Sequence, residues 1–223
     1  MLEKVLYDIC GDALLLDANQ HDCTRVFCVS TKVNNNPPQT FIWRNYNYPQ
    51  GQASRYPGTF RANTQTAVRA TTAAPTFFTP VQWEGGLYCD GALVANNPTA
   101  IALQEAKALY PGVPIEIVVS LGTGYLTKAT TTSSMGWDLL VNQIVASTTD
   151  TEDVHSLLMD FLPPEKYYRF NPILPEMYAI DVTNKSVLTD LKRLAKQTFT
   201  DMERGSRADQ QRLDILINTL KRR

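Results

Sequence analysis

Tyr88-Cys89-Asp90-Gly91-Ala92-Leu93-Val94-Ala95-Asn96-Asn97-Pro98 is the stretch on which the reading of this chain turns. An acidic residue follows a short apolar run and sits on a glycine, with a helix start a few residues on. Gly91 lets the backbone bend without a Cβ clash, and Ala92 keeps the space beside the carboxylate small. Such a turn at a strand end exposes a side chain at the sheet edge where α/β sites lie. A carboxylate placed there suits a general base, provided that a nucleophile comes within hydrogen-bond reach. An Asp-Gly pair alone is a weak signal, since most such pairs are plain turns. The chain contains no Gly-x-Ser-x-Gly, so the serine such an Asp serves is not visible in it.

Outward from this turn the pattern alternates. Toward the N-terminus, Leu2 to Leu16 carries apolar residues at helical spacing, interrupted at Gly11. Thr24–Ser30 and Thr40–Arg44 read as strands around the Asn34–Pro38 turn, Asn45–Gly58 as an irregular loop, and Thr64–Ala74 as a helix ended by Pro75. Toward the C-terminus, Asn97 as N-cap with Pro98 at the first helical position predicts a helix to about Tyr110. Ile115–Leu121 is the strongest strand signal, and its mostly unbroken apolar character predicts cover on both faces. Leu126–Met135 reads as a mobile Thr/Ser-rich segment and Trp137–Ser147 as a helix. Thr149-Asp150-Thr151-Glu152 matches a capping box opening a helix to Leu162. A short strand at Tyr167–Phe170 follows, then helices over about Val187–Met202 and Arg207–Leu220, broken at Gly205. Strands alternating with helices predict a layered α/β fold.

Composition narrows the function classes. A length of 223 residues fits one domain, and 43% hydrophobic residues supply a sizeable core. A net charge of −1 argues against a general nucleic-acid binder, which needs a basic excess. Charge is uneven: from Lys185 onward ten basic residues face five acidic ones, a balance that suits either a solvated helix face or an anionic surface. Cys10, Cys23, Cys28 and Cys89 form no Cys-x-x-Cys, and His21 and His155 are far apart, so no metal spacing is present. Dispersed cysteines fit reduced thiols in an intracellular compartment. No apolar run reaches membrane-span length and Met1–Cys10 has no signal-peptide core, so the expectation is a soluble or peripherally membrane-associated chain.

Several strings in order carry a family resemblance: Val29-Ser30-Thr31, Arg44-Asn45-Tyr46, Ala67-x-Arg69-Ala70-x-x-Ala73-Ala74-Pro75 and Asp90-Gly91-Ala92-Leu93-x-x-Asn96-Asn97-Pro98-Thr99. They continue through Pro111-x-Val113-Pro114, Ser120-Leu121-Gly122-Thr123-Gly124, Ala146-Ser147-x-x-Asp150-Thr151-Glu152-x-Val154-His155 and Tyr168-Arg169-Phe170-Asn171-Pro172. Together they resemble the C-terminal half of a patatin-like phospholipase domain, with the nearest likeness in the calcium-independent phospholipase A2 gamma type. The resemblance implies an α/β three-layer sandwich with a central, mostly parallel sheet, present as its C-terminal half. Residues 1–184 would be that part of the domain, and residues 185–223 a helical extension.

The resemblance also implies chemistry. In this family a Ser–Asp dyad hydrolyses fatty-acyl esters of phospholipids, and Asp90, with Gly91 and Ala92 completing the Asp-Gly-Ala motif, matches the proton acceptor. The serine on a strand-to-helix elbow and a Gly-rich oxyanion loop belong upstream of the matched region. The expectation is therefore that the N-terminal half is missing, to be supplied in cis or by another chain. Ser30 and Ser120 align with scaffold strand ends and are not expected to substitute. No cofactor, metal or nucleic acid is implied; the implied partners are a fatty-acyl ester and a membrane surface. The alternative is a catalytically dead half-domain that binds lipid surfaces or protein, with Lys185–Arg223 and the aromatic loop Trp43–Tyr56 as contact candidates.

Overall fold

The computed structural model describes residues 2–17, 24–126 and 151–222. The expected mobile segment at Leu126–Met135, the helix at Trp137–Ser147, the Thr149-Asp150 half of the capping box, and His21 and Cys23 lie, but for Leu126, outside the described residues. The chain divides into two units, Met1–Val113 with Met135–Val154 and Pro114–Ser134 with His155–Arg223.

The first unit is organised by two hairpins. Strands β1 (Phe27–Lys32) and β2 (Gln39–Arg44) pair antiparallel across the short Asn/Pro loop. Strands β4 (Val81–Trp83) and β5 (Gly86–Asp90) pair antiparallel across Glu84-Gly85. Glu84 and Gly85 both have positive φ, 41° and 73°, the backbone of the type I′ turn whose twist matches that of the strands. The Asn34 side-chain amide donates to Gly85 O at 3.0 Å, and its oxygen accepts from Leu87 N at 3.1 Å, stitching one hairpin to the other. With the two-residue β3 (Gly58–Thr59), the sheet order is β3-β2-β1-β5-β4.

Helix α2 (Thr64–Thr71) covers one face, where Phe41, Trp43 and Tyr88 pack with Ala67 and Ala70. The ring centroids of Phe41, Trp43 and Tyr88 lie 4.7–5.0 Å apart. Trp43, fully buried, donates from Nε1 to the Ser30 hydroxyl at 2.9 Å. Helices α3 (Ala92–Ala95) and α4 (Thr99–Leu109) cover the opposite face, where Ile101, Val94 and Ala95 meet Val29 and Ile42. The amphipathic α1 (Leu2–Cys10) packs against α2. Helix, sheet, helix is the layered α/β arrangement expected. Parallel pairing is found at β2–β3 and in the second unit, whereas β1, β2, β4 and β5 pair antiparallel. For β1–β2 and β4–β5 the reason lies in the connections: a tight hairpin can only return its strand antiparallel.

In the second unit β6 (Val118–Leu121) pairs parallel with β7 (Tyr167–Phe170). Helix α5 (Thr151–Phe161) ends in this unit, and its His155 Nδ1 lies 3.1 Å from the Tyr167 hydroxyl. Helix α6 (Lys185–Arg204) is capped by Asn184, and α7 (Arg207–Lys221) by a Ser206/Asp209 capping box. Tyr168, Phe170, Leu213 and Leu216 form the core, and Phe170 stacks on Phe199 at 4.6 Å.

Two expectations need correction. The Ile115–Leu121 strand is shorter than its apolar run, and it is not covered on both faces among the described residues. Ser120 is buried while Val119 is 41% and Leu121 73% exposed, so burial alternates with the pleat. In α4, Pro98 rather than Asn97 occupies the cap position; Asn97 acts one residue earlier, its Oδ1 accepting from Thr99 N at 3.2 Å and Thr99 Oγ1 at 2.6 Å.

Candidate active site

Asp90 is the last residue of β5 and Gly91 the first outside it, so the carboxylate stands where the strand gives way to α3. Three contacts fix its backbone: Asp90 N donates to Ala73 O at 3.0 Å, Thr31 Oγ1 donates to Asp90 O at 2.8 Å, and Asp90 pairs with Ser30 in the β1–β5 ladder. Gly91 has φ −64°, an ordinary value, so its need is space rather than conformation. A Cβ at this position would collide with Val29 O and come within 2.8 Å of Val29 C, both main-chain atoms. Ala92 N donates to Asp90 Oδ1 at 2.8 Å, closing a turn at the start of α3. Among the described residues Oδ2 takes no hydrogen bond.

Burial raises the Asp90 carboxyl above the usual carboxylate range, and the Ala92 N–H only partly offsets this. A half-buried carboxylate of raised basicity with one oxygen unengaged is equipped to take a proton at that oxygen. On the other side of the sheet, a cavity of about 350 Å³ opens between Tyr56, Val94, Asn96, Ala100, Ile101 and Asp153; Asp90 does not line it.

The other serine candidates are engaged within their own units. Ser30 stands opposite Asp90 in register but is fully buried, its hydroxyl taken by Trp43. Ser120, also buried, accepts from Arg169 at 2.9 Å within the second unit. Cys10, Cys28 and Cys89 are free thiols, and burial pushes Cys28 up to about 11. No cluster of His, Cys, Asp and Glu able to hold a metal ion occurs among the described residues. The aromatic loop does not serve as a contact surface at its core positions: Trp43 and Tyr46 are buried. No described helix is long and apolar enough to cross a membrane.

Sequence reasoning missed one buried polar group. Glu105, on α4, is 1% exposed. Its carboxyl accepts from Tyr46 OH at 2.9 Å, from Ser54 Oγ at 2.5 Å and from Tyr48 OH, with Arg44 Nη1 3.8 Å away. Arg44 also lies over the Tyr48 ring. The group ties the irregular loop to α4. The signal available was a Glu four residues after Ile101, on the buried face of its helix.

Comparison with known proteins adds the family. Residues 7–103 match the model of a patatin-like phospholipase. The rabbit (Oryctolagus cuniculus) calcium-independent phospholipase A2-gamma is 38% identical over 196 residues, covering 85% of this chain and 25% of that protein. The human (Homo sapiens) protein of the same name is 38% identical over 194 residues, with the same coverage. The chain belongs to the patatin-like phospholipase family. A more distant member, phospholipase A I of Arabidopsis thaliana, is 31% identical over 208 residues, covering 77% of this chain and 16% of that protein. The patatin-like chain thus spans about a quarter or less of the length of these relatives. At the level of the family the chemistry is lipid acyl hydrolysis, and the Asp90 turn falls within the matched residues.

Proposed function

We propose that this chain carries the proton-accepting half of a calcium-independent, phospholipase A-type lipid acyl hydrolase, with Asp90 as the base of a Ser–Asp dyad. The observation that supports this reading is the half-buried Asp90 carboxyl, held through Oδ1 and unengaged at Oδ2. The nucleophile belongs to a Gly-x-Ser-x-Gly segment outside these 223 residues, joined in cis or brought by another chain. Residues 1–184 are the patatin-like part and residues 185–223 a helical extension. The substrate is a phospholipid or another fatty-acyl ester, met at a membrane surface.

The steps balance without a cofactor. The serine Oγ–H gives its proton to Asp90 Oδ2 as Oγ bonds to the ester carbon. The ester C–O bond then breaks and the leaving alcohol oxygen takes the proton from Asp90. Water gives a proton to the same carboxylate as it attacks the acyl carbon; the acyl–Oγ bond breaks, the proton passes from Asp90 to the serine Oγ, and the fatty acid leaves. A dyad of this kind asks nothing of His155, which is engaged with Tyr167.

The test is Asp90→Asn in a protein that contains both segments, assayed on phospholipid vesicles. Loss of a general base lowers kcat by about 10²–10⁴-fold; hydrolysis within a few-fold of normal would refute the assignment. The alternative, a non-catalytic lipid-surface or protein-binding module, draws on the exposed basic residues after Lys185. It is favoured if no hydrolysis appears in the two-segment protein while vesicle binding persists.

A further inference from the structure

Helix α6 is strongly amphipathic, yet none of its 20 residues is buried. Its apolar side instead lines an open groove. One hollow of about 370 Å³ is walled by Leu121, Phe170, Leu174, Leu191, Ala195 and Phe199. A second of about 300 Å³ shares Leu121, Phe170 and Phe199 with the first and continues past Leu213 and Leu220. All of these residues belong to the second unit. Each hollow falls at the lower end of the size range of small-ligand sites, on the order of 300–1,000 Å³, and the lining is almost wholly apolar.

One rim of the groove is charged. Lys185, Lys192 and Lys196 follow the i, i+7, i+11 spacing, which returns to one side of a helix of 3.6 residues per turn. That stripe lies next to the side occupied by Leu188 and Phe199, themselves 40% and 45% exposed. All three lysines are exposed, and none of their ammonium groups has a hydrogen-bond or ion-pair partner among the described residues. Arg193, on a different side, is engaged with Asp190 at 3.5 Å. Glu203, on the same stripe, lines the second hollow 7 residues beyond Lys196, or about 10 Å along the axis at 1.5 Å per residue. Apolar length beside unpaired positive charge, with the negative group at the far end, complements a molecule with an anionic head and a long hydrocarbon tail.

We propose that this groove seats a single long-chain fatty acid, its tail along Leu121, Phe170 and Phe199 and its carboxylate at Lys192 and Lys196. The seat does not depend on Asp90, so it stands or falls apart from the hydrolase reading. The chain binds the probe, cis-parinarate, saturably below its micellar concentration, and oleate displaces it. Ala195→Trp, placed on an exposed position of the groove wall, removes saturable binding. Lys192→Glu/Lys196→Glu weakens it about tenfold by replacing two attractions with repulsions, and circular dichroism checks that both variants keep their helices. The methyl ester of oleate, which has the tail without the charge, displaces the probe more weakly than oleate from the unaltered chain. Equal competition by acid and ester would overturn the head assignment, and unchanged affinity in Ala195→Trp the tail assignment. Retention only on phosphatidylserine vesicles, with no binding of monomeric oleate, would show a membrane-facing surface instead and overturn the proposal.

Discussion

Replacing Glu105 by alanine removes the one carboxyl that, among the described residues, accepts from three side chains at once. Tyr46 OH, Tyr48 OH and Ser54 Oγ all donate to its carboxyl, and Arg44, 9% exposed, loses its counter-charge. Hydrogen bonds to a charged group contribute about 1.5–3 kcal/mol each, but the three share one carboxyl and do not add. The better guide is the loss of one partner from a buried ion pair, about 3–5 kcal/mol. Against a total stability of about 5–15 kcal/mol, that takes a large part of the margin of the first unit. Urea unfolding followed by tryptophan fluorescence measures it, because Trp43 is fully buried in that unit.

Arg44 supplies the internal control. Its Nε and Nη1 are buried without a hydrogen-bond partner, so Arg44→Met removes groups that are already poorly satisfied and leaves Glu105 its three donors. The double change Glu105→Leu/Arg44→Met should therefore be less destabilised than Glu105→Ala alone, since no charge is left behind. A loss below about 1 kcal/mol in Glu105→Ala, or a double variant worse than the single, would refute the view that this carboxyl pins the loop to α4.

Other predictions follow from the same geometry. Gly91→Ala drives a methyl group into the Val29 main chain; overpacking of this kind costs about 1–3 kcal/mol, readable as a lower urea midpoint. Because burial raises the Asp90 carboxyl, its contribution favours folding below the unfolded carboxylate value and is lost as pH rises through the raised folded value. Asp90→Asn should accordingly be more stable than the parent at pH 7, with the gap narrowing in acid, and an Asn variant less stable at pH 7 would contradict that sign. Burial first, and then Glu105, raise Tyr46 strongly and push Tyr48 up to about 12. Burial also raises Tyr88 and Tyr168, so absorbance titration should show four tyrosines ionising above the ordinary range, and stability falling as pH climbs from about 10 toward the Tyr48 value.

What the sequence makes legible is what neighbouring residues decide. The Asp90 turn needs Gly91 for space, Ala92 for its N–H, and the Asn97–Thr99 cap to launch α4; all lie within ten residues, and only the cap position is off, by one residue. Tyr167–Phe170 is a strand over its expected span, and α6 and α7 break at Gly205 as read. The misses depend on distant partners. Ile115–Leu121 carries no mark of which face finds cover. The β4–β5 hairpin turns on Glu84 rather than the usual Asn or Asp before Gly, so its signal is weak. Glu105 reads as an ordinary helix residue until Tyr46, Tyr48 and Ser54, more than fifty positions earlier, come round to it.

The pairing of strands also sets an order in time. β1 meets β2 across a short loop and β4 meets β5 across two residues, whereas β6 must wait for β7, some 45 residues later. Closing short loops is fast, and contacts of long sequence separation form late. The ladder that holds Asp90 opposite Ser30 joins the two hairpins across a wider separation than β6–β7, but both its strands lie within the first 90 residues, so during synthesis the carboxylate can be set in place before the parallel pair exists. Damage to β6 or β7 should therefore leave the burial of Trp43, which draws only on strands and helices of the first unit, on schedule as the chain emerges.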